Sequence, residues 1–170
     1  MGSMTVSALT VLVTAIVVLV VVAALGWAYK TANRLDRLHV RVDLAWQSLD
    51  AALARRAVVT RTIASGLGPE GKTLAAAADR AERAERIDRE VAENALSAAL
   101  APIDPQTLRP QLVAELADAD TRVSIARRFY NDAVRDTLAL RTRRPVRLLR
   151  LGGTAPRPAY FEIVERAPAA

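Results

Sequence analysis

The chain has 170 residues, of which 52% are hydrophobic and 4% aromatic, and its formal net charge is +6. This length allows one domain with accessory segments. The sequence has no cysteine, which excludes disulfides and thiolate metal sites, and its single histidine, His39, excludes chemistry that needs several imidazole groups. We therefore expect neither a metal site nor a cofactor.

The first predicted element is a membrane anchor. Residues 6–25, VSALTVLVTAIVVLVVVAAL, carry no charge, and a bilayer core of about 30 Å needs about 20 apolar residues in a helix. Trp27 and Tyr29 follow, where interfacial aromatic side chains are common. A cleaved signal peptide fits less well, because no charged residue precedes the stretch and the stretch is long. We assign residues 1–5 to a short tail and residues 6–29 to a retained transmembrane helix.

Basic residues flank this anchor on one side only, and they are Lys30, Arg34, Arg37 and Arg41. The positive-inside rule therefore predicts that residues 30–170 lie in the cytoplasm and that the short N-terminus lies outside. The arginine- and alanine-rich, lysine-poor composition is typical of a GC-rich bacterial genome. The predicted location is the inner membrane of a bacterial cell.

Residues 30–144 are predicted to form three long helices. Apolar residues recur at three- and four-residue spacing from Leu35 to Leu67, with no proline and no glycine until Gly66, so the first helix should continue directly from the anchor. Glycine and proline in residues 66–71 predict a turn. A second helix is predicted over residues 72–101. The third should begin between residues 106 and 110 and end near Arg144, ahead of Pro145.

The apolar stripe of the second helix predicts which of its faces is buried. The stripe comprises Leu74, Ala77, Ala78, Ala81, Ala84, Ile87, Val91, Ala95 and Ala98. The charged run at residues 79–90, DRAERAERIDRE, would then be a solvated face with acid-first pairs four residues apart, each worth about 0.2–0.5 kcal/mol. Three antiparallel helices would also direct the third one away from the membrane, which places Arg144 roughly 50 Å from it.

The predicted fold class is all-α. A transmembrane helix continues into an elongated antiparallel bundle of three long helices, with coiled-coil spacing of the apolar residues, and the bundle spans residues 30–144. Residues 145–170 contain two glycines and several prolines and are predicted to form an extended basic tail. Within this tail, residues 159–165 alternate like a strand and are expected to be able to dock on the bundle.

Two stretches carry a resemblance to a known family. The stretch RRFYNDAVRD, residues 127–136, and the stretch NRLDRLHVRVDLAWQSLDAALARR, residues 33–56, resemble the LemA family of bacterial membrane-anchored helical proteins. Pro145 and the YFE sequence at residues 160–162 resemble the end of the same family. The resemblance implies a single-pass anchor and a long antiparallel helical domain, and it supplies no reaction. Its signature residues are Trp46, Arg55, Arg56, Arg127, Arg128, Tyr130 and Asn131.

The spacing of these signature residues favours structural roles. Trp46 and Tyr130 continue the apolar stripes of the first and third helices and are predicted to lie in the core. Arg127, Asn131 and Arg135 form one ridge of the third helix, for which pairing within the bundle is favoured over ligand binding. Arg56 borders the first stripe and is predicted either to pair with Asp120 or Asp132 across the bundle or to extend its head group into solvent.

The arginine cluster RTRRPVRLLR, residues 141–150, is the candidate for contact with another molecule. Its basic residues are Arg141, Arg143, Arg144, Arg147 and Arg150, and no acidic residue lies between Asp136 and Glu162. Such a cluster suits an acidic protein or anionic lipid, whereas a membrane tether argues against nucleic acid. The distance derived for three antiparallel helices favours a protein partner, with lipid second. A solvated helix end stabilised by the helix dipole is the remaining interpretation.

The polar residues of the chain predict no reaction. There is no Ser/His/Asp or Cys/His set, so we predict no catalytic residues. The turn at residues 66–73, GLGPEGKT, fits the phosphate-loop pattern, but a helix precedes it where a phosphate loop needs a strand. We predict a membrane-anchored scaffold or adaptor that is not an enzyme and that binds an unidentified protein partner. The alternatives are a nucleotide-binding hydrolase that uses this turn and a protein that binds anionic lipid at the membrane surface.

Overall fold

The computed structural model describes residues 2–164, with side chains from Ser7 onward. Every regular element in that range is helical, which confirms the all-α class. The helices are α1 (Gly2–Gly66), α2 (Lys72–Arg83), α3 (Arg89–Leu100), α4 (Pro110–Arg141) and α5 (Arg144–Leu148), with short 3₁₀ turns at Gly68–Gly71 and Pro105–Thr107. The predicted tail residues 165–170 lie outside the described part of the chain.

Helix α1 is continuous over 65 residues. Its N-terminal part is long and apolar enough to cross a membrane, and none of that apolar stretch is buried. The same helix then enters the packed part of the protein without interruption, as the lack of glycine and proline between the anchor and Gly66 predicts. The helix begins at Gly2, within the residues assigned to the short N-terminal tail.

The chain divides into two compact units. Unit 1 consists of Met1–Val40 and Asp136–Arg157, and unit 2 consists of Arg41–Arg135 and Pro158–Ala170. The long helices α1 and α4 each contribute one part to each unit. The candidate residues therefore fall into two groups, which are described separately.

The predicted second helix is wrong, because the structure divides it. Helix α2 ends at Arg83, Ala84 has extended backbone angles (φ −67°, ψ 135°), and helix α3 begins at Arg89. The buried face after the break is also the opposite of the predicted one. Ile87 and Val91 are 84% and 73% exposed, whereas the core of α3 consists of Ala92, Glu93, Leu96 and Leu100.

Cross-helix pairs define the helix directions in unit 2. Arg61 of α1 pairs with Asp79 and Glu82, near the end of α2. Asp50 of α1 pairs with Arg89 at the start of α3, and Arg56 reaches Ser97 further along it. Gly71, directly before α2, lies against Ala64 of α1, so α2 runs antiparallel to α1. Helix α3 runs parallel to α1.

Helix α4 is antiparallel to α1. In unit 2, Trp46 contacts Tyr130, and Arg56, ten residues later, pairs with Asp120, ten residues earlier. Unit 2 is thus an up-down-up-down arrangement of four helical segments rather than the predicted three. Its core is rich in alanine, which allows close approach of the helices. Its central members are Ala57, Ile63, Leu74, Ala78, Ala81, Leu96, Leu100 and Leu116.

The turn at residues 66–73 is a packed connection between two helices. A Cβ atom added to Gly71 would lie 1.9 Å from the carbonyl oxygen of Ala64, so only glycine fits there. Gly68, which precedes Pro69, has a positive φ of 61°. Gly68 is thus required by the turn itself and Gly71 by the close approach of the chain to α1.

Unit 1 contains a second, smaller core around the end of α4. Leu35 of α1 packs with Leu140 of α4 and Val146 of α5, and Leu38 and Leu151 cover this cluster. Pro145 lies in the first turn of α5, where its missing N–H is not needed. The segment that follows α4 is therefore not fully extended as predicted, because it begins with a short helix and folds back onto α1.

The exposed and buried faces of α3 give a direct test of the divided helix. Leu96→Ala is expected to lower the free energy of unfolding by about 2–5 kcal/mol, because it removes a fully buried side chain. Val91→Ala, on the exposed face, is expected to change it by less than about 0.5 kcal/mol. Chemical denaturation of both variants measures the difference. A large loss for Val91→Ala with a small one for Leu96→Ala would restore the continuous helix with its predicted stripe.

Candidate functional site

An ionic cluster lies inside unit 2, where α1, α3 and α4 meet. Glu93 of α3 is fully buried, and Arg56 of α1 is only 3% exposed. The Nη1 atom of Arg56 lies 3.3 Å from Glu93 Oε2, and its Nη2 donates to Ser97 Oγ at 2.9 Å. Its Nε lies 2.8 Å from Asp120 Oδ1 of α4. Of the alternatives predicted for Arg56, namely Asp120, Asp132 or solvent, the structure shows the pairing with Asp120. Glu93 is a partner that the sequence did not reveal.

A second buried arginine completes this cluster. Arg89, also 3% exposed, donates from Nε to Glu93 Oε1 at 3.1 Å, and its Nη1 lies 2.9 Å from Asp50 Oδ1. Burial raises the pKa of the Glu93 carboxyl above its ordinary value, while Arg56 and Arg89 act in the opposite direction. One carboxylate thus bridges two guanidinium groups, and removing one member of such a buried pair costs about 3–5 kcal/mol.

The charged run at residues 79–90 is therefore not a uniformly solvated face. Arg89 is buried in the ionic cluster, and Arg86 lies over the Trp46 ring with its Cζ 4.5 Å from the ring centroid. Arg86 also donates to the Tyr130 hydroxyl at 3.2 Å and pairs with Asp43. The predicted acid-first pairs would require these arginines to point along a single helix. The break between α2 and α3 instead directs them towards α1 and α4.

The stretch 127–136 binds the C-terminal segment of the same chain. Asn131 accepts a hydrogen bond from the Phe161 N–H at 2.9 Å and donates to the Phe161 carbonyl oxygen at 3.1 Å. The Tyr130 hydroxyl donates to the Ala159 carbonyl oxygen at 2.7 Å, and Arg127 pairs with Glu162. The Asn131 side chain thus pairs with the backbone as a neighbouring strand would.

Helix α3 holds the other side of this segment. Glu90 accepts from the N–H of Glu162 at 3.0 Å, and Asn94 accepts from the N–H of Val164 at 2.8 Å. Phe161 is buried, and its ring lies 5.8 Å from that of Trp46, centroid to centroid. Residues 159–164 are therefore an extended peptide docked on unit 2 through side chains of α3 and α4. We call this arrangement the tail clamp. The segment was expected to be able to dock on the bundle, and it contacts α3 and α4. Its backbone N–H groups pair with side chains rather than with another strand.

The other signature residues have plainer environments. Trp46 contacts Tyr130 edge-on at 5.5 Å and is half-buried, while Tyr130 is 3% exposed, so the core prediction holds fully for Tyr130 and partly for Trp46. Arg55 pairs with Glu115 at the surface, at 3.9 Å. Arg128 is exposed. Surface pairs of this kind contribute little to stability.

The arginine cluster 141–150 lies in unit 1 and divides into two parts. Arg141 is half-buried, donates to the carbonyl oxygens of Ala155 and Pro156, and lies 3.4 Å from the Nε2 atom of His39. Arg141 therefore links residues 155–156 to α1. The remaining members, Arg143, Arg144, Arg147 and Arg150, are exposed.

The position of this cluster contradicts the distance derived from three antiparallel helices. Thr137 of α4 lies 3.5 Å from the Leu38 carbonyl oxygen of α1, and Leu140 packs on Leu35. Helix α4 therefore ends beside the part of α1 that follows the apolar stretch. The distance differs because residues 72–101 form two helices of opposite direction, α2 and α3, rather than one.

Among residues 7–164, whose side chains the structure describes, no group of three His, Cys, Asp or Glu side chains is placed to hold a metal ion. Comparison of the chain with protein-family models, with curated proteins and with solved structures finds no match. The interpretation of the site therefore depends on its geometry, and the resemblance to the LemA family stays a prediction.

The tail clamp generates a test at Asn131. Asn131→Ala removes both hydrogen bonds to the Phe161 backbone. The free energy needed to detach residues 159–164 from α3 and α4 should therefore fall by about 1–3 kcal/mol. Hydrogen–deuterium exchange at the Phe161 amide should then be roughly 5–150-fold faster. Asp132→Ala is the matched control, because Asp132 pairs with Arg135 on its own helix. Unchanged exchange at Phe161 in Asn131→Ala would show that Asn131 does not hold the tail.

Proposed function

We propose that the protein is a single-pass membrane protein whose helical domain acts as a scaffold or adaptor for a protein partner at the membrane. The exposure of the apolar part of α1 carries this proposal. From Leu9 to Leu25 its large apolar side chains are between 50% exposed, at Val21, and 69% exposed, at Val11. Moving each such side chain from water to an apolar medium gains about 1.5–3 kcal/mol. A lipid bilayer is the medium that surrounds a helix of this length on all sides.

The charges beside the apolar stretch support a cytoplasmic helical domain. Lys30, Arg34, Arg37 and Arg41 are all exposed, and such a cluster is retained on the cytoplasmic side during insertion. The proposal therefore places residues 30–170 in the cytoplasm and the anchor in the inner membrane of a bacterial cell. The resemblance to the LemA family supports the same arrangement.

The roles of the polar residues favour a scaffold over an enzyme. Arg56, Arg89 and Glu93 are used to join helices, and Asn131 is used to hold the tail. Ile125 and Phe129, one turn apart on α4, are 50% and 64% exposed and form an apolar surface that a protein partner could cover. The chain thus uses its buried polar groups for its own fold and presents apolar groups to its surroundings.

Fusion reporters test both the anchoring and the orientation. A phosphatase that is active only outside the cytoplasm should be inactive when fused after Ala170, whereas a fluorescent protein at the same place should fluoresce. The full chain should stay in the membrane pellet after alkaline carbonate extraction, and residues 30–170 alone should be released. Active phosphatase would contradict the orientation, and extraction of the full chain by carbonate would contradict the anchoring.

A further inference from the structure

The exposed part of the arginine cluster follows the end of α4, and Val146 within this segment packs with Leu35 of α1. Helix α4 runs antiparallel to α1, so its last residues are those closest to the apolar stretch of α1. The contact residue Leu35 is ten residues beyond Leu25, which is about 15 Å at 1.5 Å per residue. Thr31 of α1 is already buried, whereas residues 7–27 are exposed. Packing on α1 thus begins about 9 Å beyond Leu25.

The surface of this segment combines positive charge with exposed apolar groups. The four exposed arginines follow one another over eight positions, and no acidic residue lies between Asp136 and Glu162. Leu148 is 83% exposed and Leu149 is 55% exposed, although the neighbouring Val146 is buried against α1. One side of α5 therefore belongs to the core of unit 1, whereas Leu148 and Leu149 leave most of their surface uncovered.

We propose that residues 143–150 lie on the headgroup region of the same bilayer that α1 enters, where the four arginines bind anionic lipid and the two leucines contact the acyl boundary. The proposal rests on the membrane anchoring proposed above. Arginines close to an anionic leaflet are attracted to it, and their long side chains extend to the phosphates while apolar neighbours enter the interface. A bilayer is favoured over a soluble acidic protein because the anchor holds this segment beside lipid in every molecule.

The packing of Arg141 explains why it is not part of this surface. Its guanidinium group is occupied by the carbonyl oxygens of Ala155 and Pro156. These bonds tie residues 155–156 to the end of α4, and Val146 packs the segment between them against Leu35 of α1, so that an ordered element carries the charges. Arg141 is therefore a positioning residue, and the test leaves it unchanged.

The test uses the full chain reconstituted in bilayers of phosphatidylcholine, with or without phosphatidylglycerol. The sequence has no cysteine, so Leu148→Cys allows one polarity-sensitive fluorophore to be attached, and lipids brominated near the headgroup end of the acyl chain serve as quenchers. We expect blue-shifted emission and quenching when the anionic lipid is present. Both effects should be lost when Arg143, Arg144, Arg147 and Arg150 are replaced by glutamine.

A matched variant controls for the change in net charge. Arg80, Arg83, Arg109 and Arg128 are exposed residues of unit 2, and their replacement by glutamine removes the same number of charges. This control should keep the quenching at position 148. If the label is unquenched in the parent chain, or if both quadruple variants lose quenching equally, the proposal is overturned.

Flotation of the same samples on a density gradient separates this outcome from failure of the proposed function. A chain that floats with the vesicles but shows no quenching is anchored without the lipid contact, which overturns this inference alone. A chain that does not float is not anchored, which overturns both.

Discussion

The fold of unit 2 depends on one buried carboxylate placed between two buried guanidinium groups. Glu93 of α3 bridges Arg56 and Arg89, and these arginines extend the network to Asp120 of α4 and Asp50 of α1. An unpaired charge at such depth would cost several kcal/mol. The three helices can therefore bury these residues only in the register in which all the charges meet. The small side chains of an alanine-rich core specify such a register only weakly, so the charges define the arrangement.

This cluster also accounts for the direction of the later helices. Arg89 reaches both Asp50 and Glu93 because α3 starts again after Ala84 and runs parallel to α1. The additional reversal makes α4 antiparallel to α1. In unit 1 the end of α4 consequently packs on Leu35, and the basic segment that follows α4 lies next to the part of α1 that leaves the apolar stretch. The break at residues 84–88 thus determines the direction of α4.

Strong local signals in the sequence predicted part of this structure. The uncharged run at residues 6–25 predicted the apolar helix, and the absence of glycine and proline between the anchor and Gly66 predicted its continuation. Both are present. The position of Arg56 beside the apolar stripe gave Asp120 as one of two predicted partners, and the structure shows this pair. These features depend on short-range periodicity or on a single pair of residues, which a sequence displays directly.

The break between α2 and α3 could not be predicted in the same way. No glycine or proline marks residues 84–88, and the apolar positions continue at helical spacing through them. Hydropathy assigns Ile87 and Val91 to the core and Glu93 to solvent, whereas tertiary ion pairing reverses this assignment. The tail clamp was also only partly predictable, because the hydrogen bonds of Asn131, Glu90 and Asn94 join positions about 30 to 70 residues apart along the chain.

The distance between α1 and the residues after α4 tests this account most directly. Asp36 and Arg144 are exposed residues of unit 1, and because the chain has no cysteine, Asp36→Cys and Arg144→Cys can carry a specific pair of spin labels. Packed helices lie 8–10 Å apart, so electron–electron resonance should give a label separation below about 25 Å. A separation near 50 Å, the value for a single helix in place of α2 and α3, would contradict the reversal and the position of the basic segment.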